Sequence, residues 1–315
     1  MAAILPQVLT MRKVPAGIIA LDLDGTLLNS AKHLSPGDLA ALEAAAEAGW
    51  EIVPTTGRFY GGMPDVIRQL PFVHYAITIN GAAVMAIDCE TAEGTETDGP
   101  VSGGGAEPVL KTLCSAEIPW PLAVDIMAWL DEKPVIYDCY MDNQAFMTEA
   151  LKAKVDEVIS DSKIRKMFHD LRQPVPELKD FVMKYCRGNG IHVQKIQFFT
   201  TDMELRRRLL TEIPEVFPGI LATSSSPQNI ELNWKDANKG QALLALADTL
   251  GVSHEKTIAF GDGLNDVSML RAAGVGIAMD NAEDEIKNAA DWVTASCDED
   301  GVAIGIRRYC LNDKL

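Results

Sequence analysis

Asp22-Leu23-Asp24-Gly25-Thr26 places two carboxylates two residues apart, directly after the apolar run Gly17 to Leu21. In an extended segment such side chains point the same way, so Asp22 and Asp24 can reach one pocket. Two carboxylates so placed need a cation between them or a shared proton, and either arrangement suits catalysis. The plain alternative is an acidic turn after a strand, with Asp24-Gly25 as its turn residues. Far along the chain, Gly261-Asp262-Gly263-Leu264-Asn265-Asp266 packs oxygen ligands between glycines that let the backbone turn tightly. Hard oxygen donors suit Mg²⁺, which keeps several waters and takes one or two carboxylates plus a substrate phosphate. As a dinucleotide-binding glycine loop the same segment fails, because the third glycine position is Asp266 and no fingerprint acid is apparent.

Two further segments fall at equivalent places. Thr55-Thr56-Gly57-Arg58 ends a second apolar run, where hydroxyls can donate to a phosphoryl oxygen; an ordinary strand-to-turn Thr-Gly is the other reading. Asn238-Lys239-Gly240 opens a helical pattern, so Lys239 and the helix N-terminus can both face an anion, although a lysine at a helix start is usually just solvated.

The elements that must position these residues follow from hydropathy. Gly17–Asp22 reads as a buried parallel strand, and Ser35-Pro36 opens a helix whose stripe Leu39, Leu42, Ala45 and Ala46 stops at Gly49. Strand Glu51–Thr56, a helix around Met63–Leu70 and strand Tyr75–Ile79 complete a βαβαβ unit, hence a parallel sheet. The signature returns late: helix Gly240–Leu250, strand Thr257–Phe260, a helix near Val267–Ala273, strand Val275–Met279, a helix near Glu283–Ala290 and strand Trp292–Ala295. The spacing predicts an α/β fold with a Rossmann-like, doubly wound parallel sheet, assembled from residues 17–83 and 233–315. Residues 84–232 form an α+β insert, with a helix near Met147–Ser160, strand-like 193–199 and 229–232, and a helix near 203–210. Residues 90–107, rich in Glu, Thr and Gly, predict a mobile loop.

The chain has 315 residues, 47% of them hydrophobic and 23% charged, the balance of a globular protein, and its length favours two domains with a shared core. Lys and Arg number 28 against 45 Asp and Glu, a net charge of −17 that repels phosphate backbones and anionic membranes. Nucleic acid and membrane partners are therefore excluded. An anionic substrate must be drawn in locally, by a metal cation or a buried lysine. The six cysteines form no CxxC pair and read as thiols of a reducing compartment. No run approaches the roughly 18 apolar residues of a membrane span. Residues 1–16 read as an N-terminal extension lacking a secretory signal, with Met11 as an alternative start. A cytoplasmic protein is expected, import into an organelle being the alternative. The five histidines lack paired metal-ligand spacing, and Arg206-Arg207-Arg208 reads as a solvated helix face.

The four segments in this order resemble the haloacid dehalogenase superfamily of phosphohydrolases. The long insert, Asn80-Gly81-Ala82 leading into it, and Val275-Gly276-Ile277-Ala278-Met279 with Asn281-Ala282 resemble its Cof-type subfamily. The resemblance implies a phosphatase of small phosphorylated metabolites, a sugar phosphate or a phosphorylated cofactor, acting as monomer or homodimer. It implies that Asp22 attacks phosphorus to form an aspartyl-phosphate and that Asp24 is the general acid and base. It implies that Thr56 and Lys239 hold the phosphoryl oxygens, with Gly57, Arg58 and Asn80 also facing the substrate. It further implies Mg²⁺ held by Asp22, the main-chain carbonyl of Asp24 and Asp262, with Asn265 and Asp266 as ligands or support. The insert becomes a cap that covers the site. The acidic 90–107 segment and Trp234, where the family often has proline, depart from its pattern and bear on substrate choice. A phosphomutase of the same superfamily, or a non-catalytic phospho-acceptor, are the other readings.

Overall fold

The computed structural model describes residues 2–3, 14–88, 108–224 and 228–311, so the predicted loop at 90–107 and most of the N-terminal extension lie outside the described residues. Five parallel strands form the core sheet in the order Trp292–Val293, Val275–Ala278, Thr257–Gly261, Gly17–Leu21, Trp50–Pro54. The strand Gly17–Leu21 shows why these strands must be buried on both faces. Ile19 and Leu21 pack with Leu42 and Ala45 of helix Pro36–Glu47 and with Val302 and Ile306 of helix Gly301–Tyr309. Ile18 and Ala20 point the other way, onto Leu243, Leu246 and Ala247 of helix Lys239–Leu250. Period-two alternation thus feeds two helical layers, the three-layer α/β arrangement expected from the sequence. Ser35 caps its helix as its type suggests, its Oγ accepting from the Asp38 N–H at 3.0 Å ahead of Pro36.

The third strand differs from expectation. Tyr75–Thr78 touches the parallel sheet through the Thr55–Ile77 bridge, but its full partner is Ala83–Asp88, which runs antiparallel and pairs in turn with Val109–Ser115. These strands and Ala2–Ala3 make a second, four-stranded sheet that meets the parallel sheet through that bridge, so residues 84–88 and 109–115, assigned to the insert by the sequence, pair instead with the strand Tyr75–Thr78. The cause is a tight reversal at Ile79-Asn80-Gly81, with φ of 55°, 58° and 92°. A β-branched residue with positive φ is strained. Ala2–Ala3 pairs antiparallel with Cys114 and Ser115.

The inserted cap is built on a six-stranded sheet ordered Ile220–Thr223, Asn229–Trp234, Lys195–Phe199, Ile136–Met141, Gln144–Thr148, Arg172–Val175, antiparallel except for the last pair. One face, carrying Cys139, Ile196, Phe198, Ile230 and Leu232, packs on helices Trp120–Asp131, Leu178–Asn189 and Met203–Val216. The opposite face carries Asp138, Tyr140, Lys195, Gln197, Asn229, Glu231 and Asn233, and it meets the unit built on the parallel sheet. The helix predicted over 147–160 gives way to a strand ending at Thr148 and two short helices, Glu149–Lys152 and Val155–Val158. Met147 is buried in the sheet, and Thr148 starts the first helix by accepting from the Leu151 N–H. Among the described residues no helix is long and apolar enough to cross a membrane.

Asp38 joins two helices. Its Oδ1 accepts from the Ala303 N–H at 2.7 Å, while its Oδ2 is buried without a hydrogen-bond partner. Burial, opposed by that N–H and by Ser35, pushes its pKa up to about 6. The folded state thus favours the protonated carboxyl, and the stability this confers is lost as pH rises from the ordinary Asp value through about 6. Asp38→Asn keeps an acceptor for Ala303 and cannot ionise, so its melting temperature relative to the native chain is expected to rise between pH 4 and pH 7 in thermal unfolding scans. A difference that stays flat or falls with pH removes the argument.

Candidate active site

The carboxylates sit where the parallel strands end. Asp22 continues the strand Gly17–Leu21, its N–H donating to Phe260 O at 3.0 Å, and Asp262 leaves the neighbouring strand Thr257–Gly261. Gly25 adopts a φ of 94°, and a Cβ there would stand 2.3 Å from Asp262 Oδ2, so the turn after Asp24 requires glycine on two counts. Thr26 Oγ1 then donates to Asp262 Oδ1 at 2.8 Å, tying the two strand ends together. Lys239 comes from the first turn of its helix, which Asn238 caps by accepting from the Gln241 N–H. Its Nζ donates to Asp22 Oδ1 and to Asp266 Oδ1, both at 2.6 Å. Asp266 Oδ2 accepts from the N–H groups of Asp262 and Gly263, at 3.1 and 2.9 Å, and so holds its own loop closed.

Charge is concentrated here. Burial alone would lower the lysine, but Asp22 and Asp266 outweigh it and hold Lys239 protonated well above the ordinary lysine value. Burial and the Asp266 charge, against Lys239, push Asp22 up to about 7; burial and the Asp22 charge push Asp262 up to about 6. Ligand oxygens of Asp22, Asp262 and Asp266 lie within 4.8 Å of one another. Three hard-oxygen carboxylates around a single ammonium leave an excess of negative charge, and that donor set fits a divalent cation.

Asp24 belongs to a second cluster. Arg58 donates to it through Nε and Nη2, at 2.9 and 3.0 Å, and Lys32 Nζ lies 3.0 Å away. Burial favours the neutral carboxyl, but Arg58 and Lys32 together hold Asp24 below the usual carboxylate range. The resting site therefore presents Asp24 ionised, the base form rather than the acid form. Arg58, expected to face the substrate, is committed to Asp24 and, through Nη1, to Gly62 O at 3.0 Å. Thr56 is buried, and its Oγ1 accepts from the Arg58 N–H at 3.2 Å. Asn80 packs its amide against Gly57, where a Cβ would fall 2.7 Å from Asn80 Oδ1. That Oδ1 accepts from Asn265 Nδ2 at 3.2 Å, so Asn265 turns its amide nitrogen toward Asn80.

Several members of the site carry no role in the sequence reading. Lys32 lies in a loop with nothing to mark it. Asn281 donates to Gly25 O at 2.8 Å and accepts from the Cys297 N–H at 2.9 Å, bracing the turn after Asp24. Its signal is its place just after the strand Val275–Ala278. Lys195 and Glu231 reach the site from the cap, and period-two polarity in Lys195/Gln197 and Asn229/Glu231/Asn233 is the signal that could have found them.

A family model described as haloacid dehalogenase-like hydrolase matches residues 19–96 and 107–306. The chain is 30% identical over 301 residues to phosphatase YwpJ of Bacillus subtilis (strain 168), covering 91% of this chain and 97% of that protein. It is 29% identical over 287 residues to the pyridoxal phosphate phosphatase YbhA of Escherichia coli (strain K12), covering 91% and 96% respectively. A solved haloacid dehalogenase-like hydrolase from B. subtilis superimposes with a TM-score of 0.72 at 28% identity, over 93% of this chain and 99% of that one.

Removing the ammonium tests the electrostatics directly. Lys239→Met at pH 8 in chelator is expected to cost about 3 kcal/mol in urea unfolding, because buried carboxylates lose their counter-charge. Adding a divalent cation should restore part of the loss. An unchanged unfolding midpoint in chelator would show that Lys239 does not neutralise the cluster.

Proposed function

The chain belongs to the haloacid dehalogenase-like hydrolases, and from that premise we propose that it is a Mg²⁺-dependent phosphatase of small phosphorylated metabolites acting through an aspartyl-phosphate on Asp22. The observation that carries this reading is the pairing of Asp22 with the fully buried Lys239, beside Asp262 and Asp266, at the end of the strand Gly17–Leu21. Lys239 holds Asp22 Oδ1, which leaves the other carboxylate oxygen to attack phosphorus. Attack forms the Asp22 oxygen–phosphorus bond and breaks the ester bond, and the departing alkoxide takes a proton from Asp24. Water then attacks the aspartyl-phosphate and gives a proton back to Asp24, releasing inorganic phosphate and restoring the Asp22 carboxylate. The Arg58 fork and Lys32 favour this second half, where Asp24 is a base. The first half requires Asp24 to gain a proton and turn from the fork, so Arg58 must shift as substrate enters.

Thr56 and Lys239 contact the phosphoryl oxygens in this reading, with Gly57, Arg58 and Asn80 lining the same side. Asp22, Asp262 and the Asp24 carbonyl would hold Mg²⁺, supported by Asn265 and Asp266; when bound it supplies positive charge that lets an anionic ester enter a carboxylate-lined site. Sugar phosphates and phosphorylated cofactors are the substrate classes to test, since one relative is named for pyridoxal phosphate.

Phosphate release from p-nitrophenyl phosphate and a panel of sugar phosphates and pyridoxal phosphate, with Mg²⁺ and with chelator, is the test. Turnover is expected to need Mg²⁺ and to fall by about 10³ or more in Asp22→Asn, as when a covalent nucleophile is removed. No turnover on any ester would sink the hydrolase. Dependence on a bisphosphate primer would mark a mutase, and a stable phosphorylated Asp22 a phospho-acceptor.

A further inference from the structure

The three carbonyl oxygens of residues 56–58 are all engaged. Thr56 O accepts from the Asn80 N–H at 3.0 Å and Arg58 O from the Ile79 N–H at 2.9 Å, both inside the catalytic unit. Gly57 O accepts instead from Lys195 Nζ, at 2.9 Å, and Lys195 stands in the cap sheet. This lysine is 2% exposed, lies 4.4 Å from the Tyr140 ring centroid and has Glu231 Oε1 at 3.7 Å. Glu231 reaches the catalytic unit as well, its Oε2 accepting from Asn80 Nδ2 at 2.6 Å. A buried ammonium needs both a counter-charge and acceptors. Here the cap supplies the counter-charge and the loop at 56–58 supplies an acceptor.

The peptide group gives that contact a direction. Gly57 C=O and Arg58 N–H belong to one planar unit, so a grip on the oxygen orients the N–H at the other side. That N–H donates to Thr56 Oγ1 at 3.2 Å. A hydroxyl has one hydrogen and two acceptor lone pairs, so once the Arg58 N–H occupies one side, the Thr56 hydrogen must point away from it.

We propose that Lys195 is a positioning residue: through the planar Gly57–Arg58 peptide it aims the Thr56 hydroxyl, so the phosphate loop is in working order only when the cap is seated. This rests on the phosphatase reading above. A lysine that selected the leaving group would affect different esters differently, whereas one acting through Thr56 affects all of them alike. A lysine that only stabilised the fold would move the unfolding midpoint and leave kcat unchanged.

The test is a double-mutant cycle of Lys195→Met with Thr56→Val in the full chain with Mg²⁺, on p-nitrophenyl phosphate and on the best metabolite ester. Lys195→Met is expected to lower kcat about tenfold or more on both esters with a smaller change in KM, the scale of a misdirected catalytic donor. In the Thr56→Val background it should lower kcat no further. Factors that multiply, an effect confined to one ester, or a lower midpoint with unchanged kcat each overturn the proposal. Should Lys195→Met not fold, Lys195→Arg enters the same cycle with the same expectation, since it keeps a cation beside Glu231 but replaces the compact ammonium with a planar fork. A native chain that hydrolyses no ester refutes the phosphatase reading and takes this proposal with it, whereas native turnover with unaffected variants refutes the proposal alone.

Discussion

Lys239 Nζ stands 2.6 Å from both Asp22 Oδ1 and Asp266 Oδ1 with no exposure to solvent, and the strand ends around it are stable as neighbours because that charge lies between them. Carboxylates gathered in a water-poor site repel strongly, and a buried ammonium turns part of that repulsion into attraction. The helix start that delivers it is held to close tolerance. A Cβ on Gly240 would fall 2.3 Å from Ser268 O, and one on Gly81 would fall 2.4 Å from Asn238 O. The Ile79-Asn80-Gly81 reversal, the helix Lys239–Leu250 and the helix Val267–Ala272 therefore pack backbone to backbone around one cation. Apolar contacts of Leu243 and Leu246 beneath the sheet supply the rigidity that keeps it there.

Beyond this centre the site grades outward. Asp22, Asp266 and Lys239 are buried, whereas Asp24, Arg58 and Lys32 have side chains about a third to a half exposed. The inner group is fixed by packing and charge together. The outer group is held chiefly by charge, in higher dielectric, and its ion pairs are correspondingly easier to exchange. A rigidly held inner site and an adjustable outer one suit chemistry in which one carboxylate bonds to the reacting atom and the other must change protonation state.

The inner site was legible in the sequence because its residues fall in short motifs at the ends of apolar runs, where periodicity and topology agree. Asp22, Lys239, Asp262 and Asp266, more than 200 residues apart in places, do converge. Less legible was anything decided by a side chain's choice of partner. Nothing in the Thr-Gly-Arg segment indicates that Arg58 will fork onto Asp24, or that a lysine from the cap will take Gly57 O. The second sheet was missed because Tyr75–Ile79 has the hydropathy of a parallel strand, while its pairing is set by a left-handed turn that ordinary residue preferences disfavour at Ile79. The expected shared core was also too simple. Among the described residues, cap and catalytic unit each own an apolar core, with a small cluster around Phe59, Ile79, Tyr140 and Ala145 between them.

That division has a thermodynamic consequence for access to the site. The cost of separating two packed bodies in water is governed by the apolar surface newly wetted. Beside that small apolar cluster, the seam carries the contacts of Lys195 with Gly57 O, Glu231 with Asn80 and Asn233 with Ile79 O, groups that water solvates about as well as they solvate one another. Parting the two bodies would leave both hydrophobic interiors dry. Passage of a polar ester in and of phosphate out is thereby uncoupled from the stability of either half.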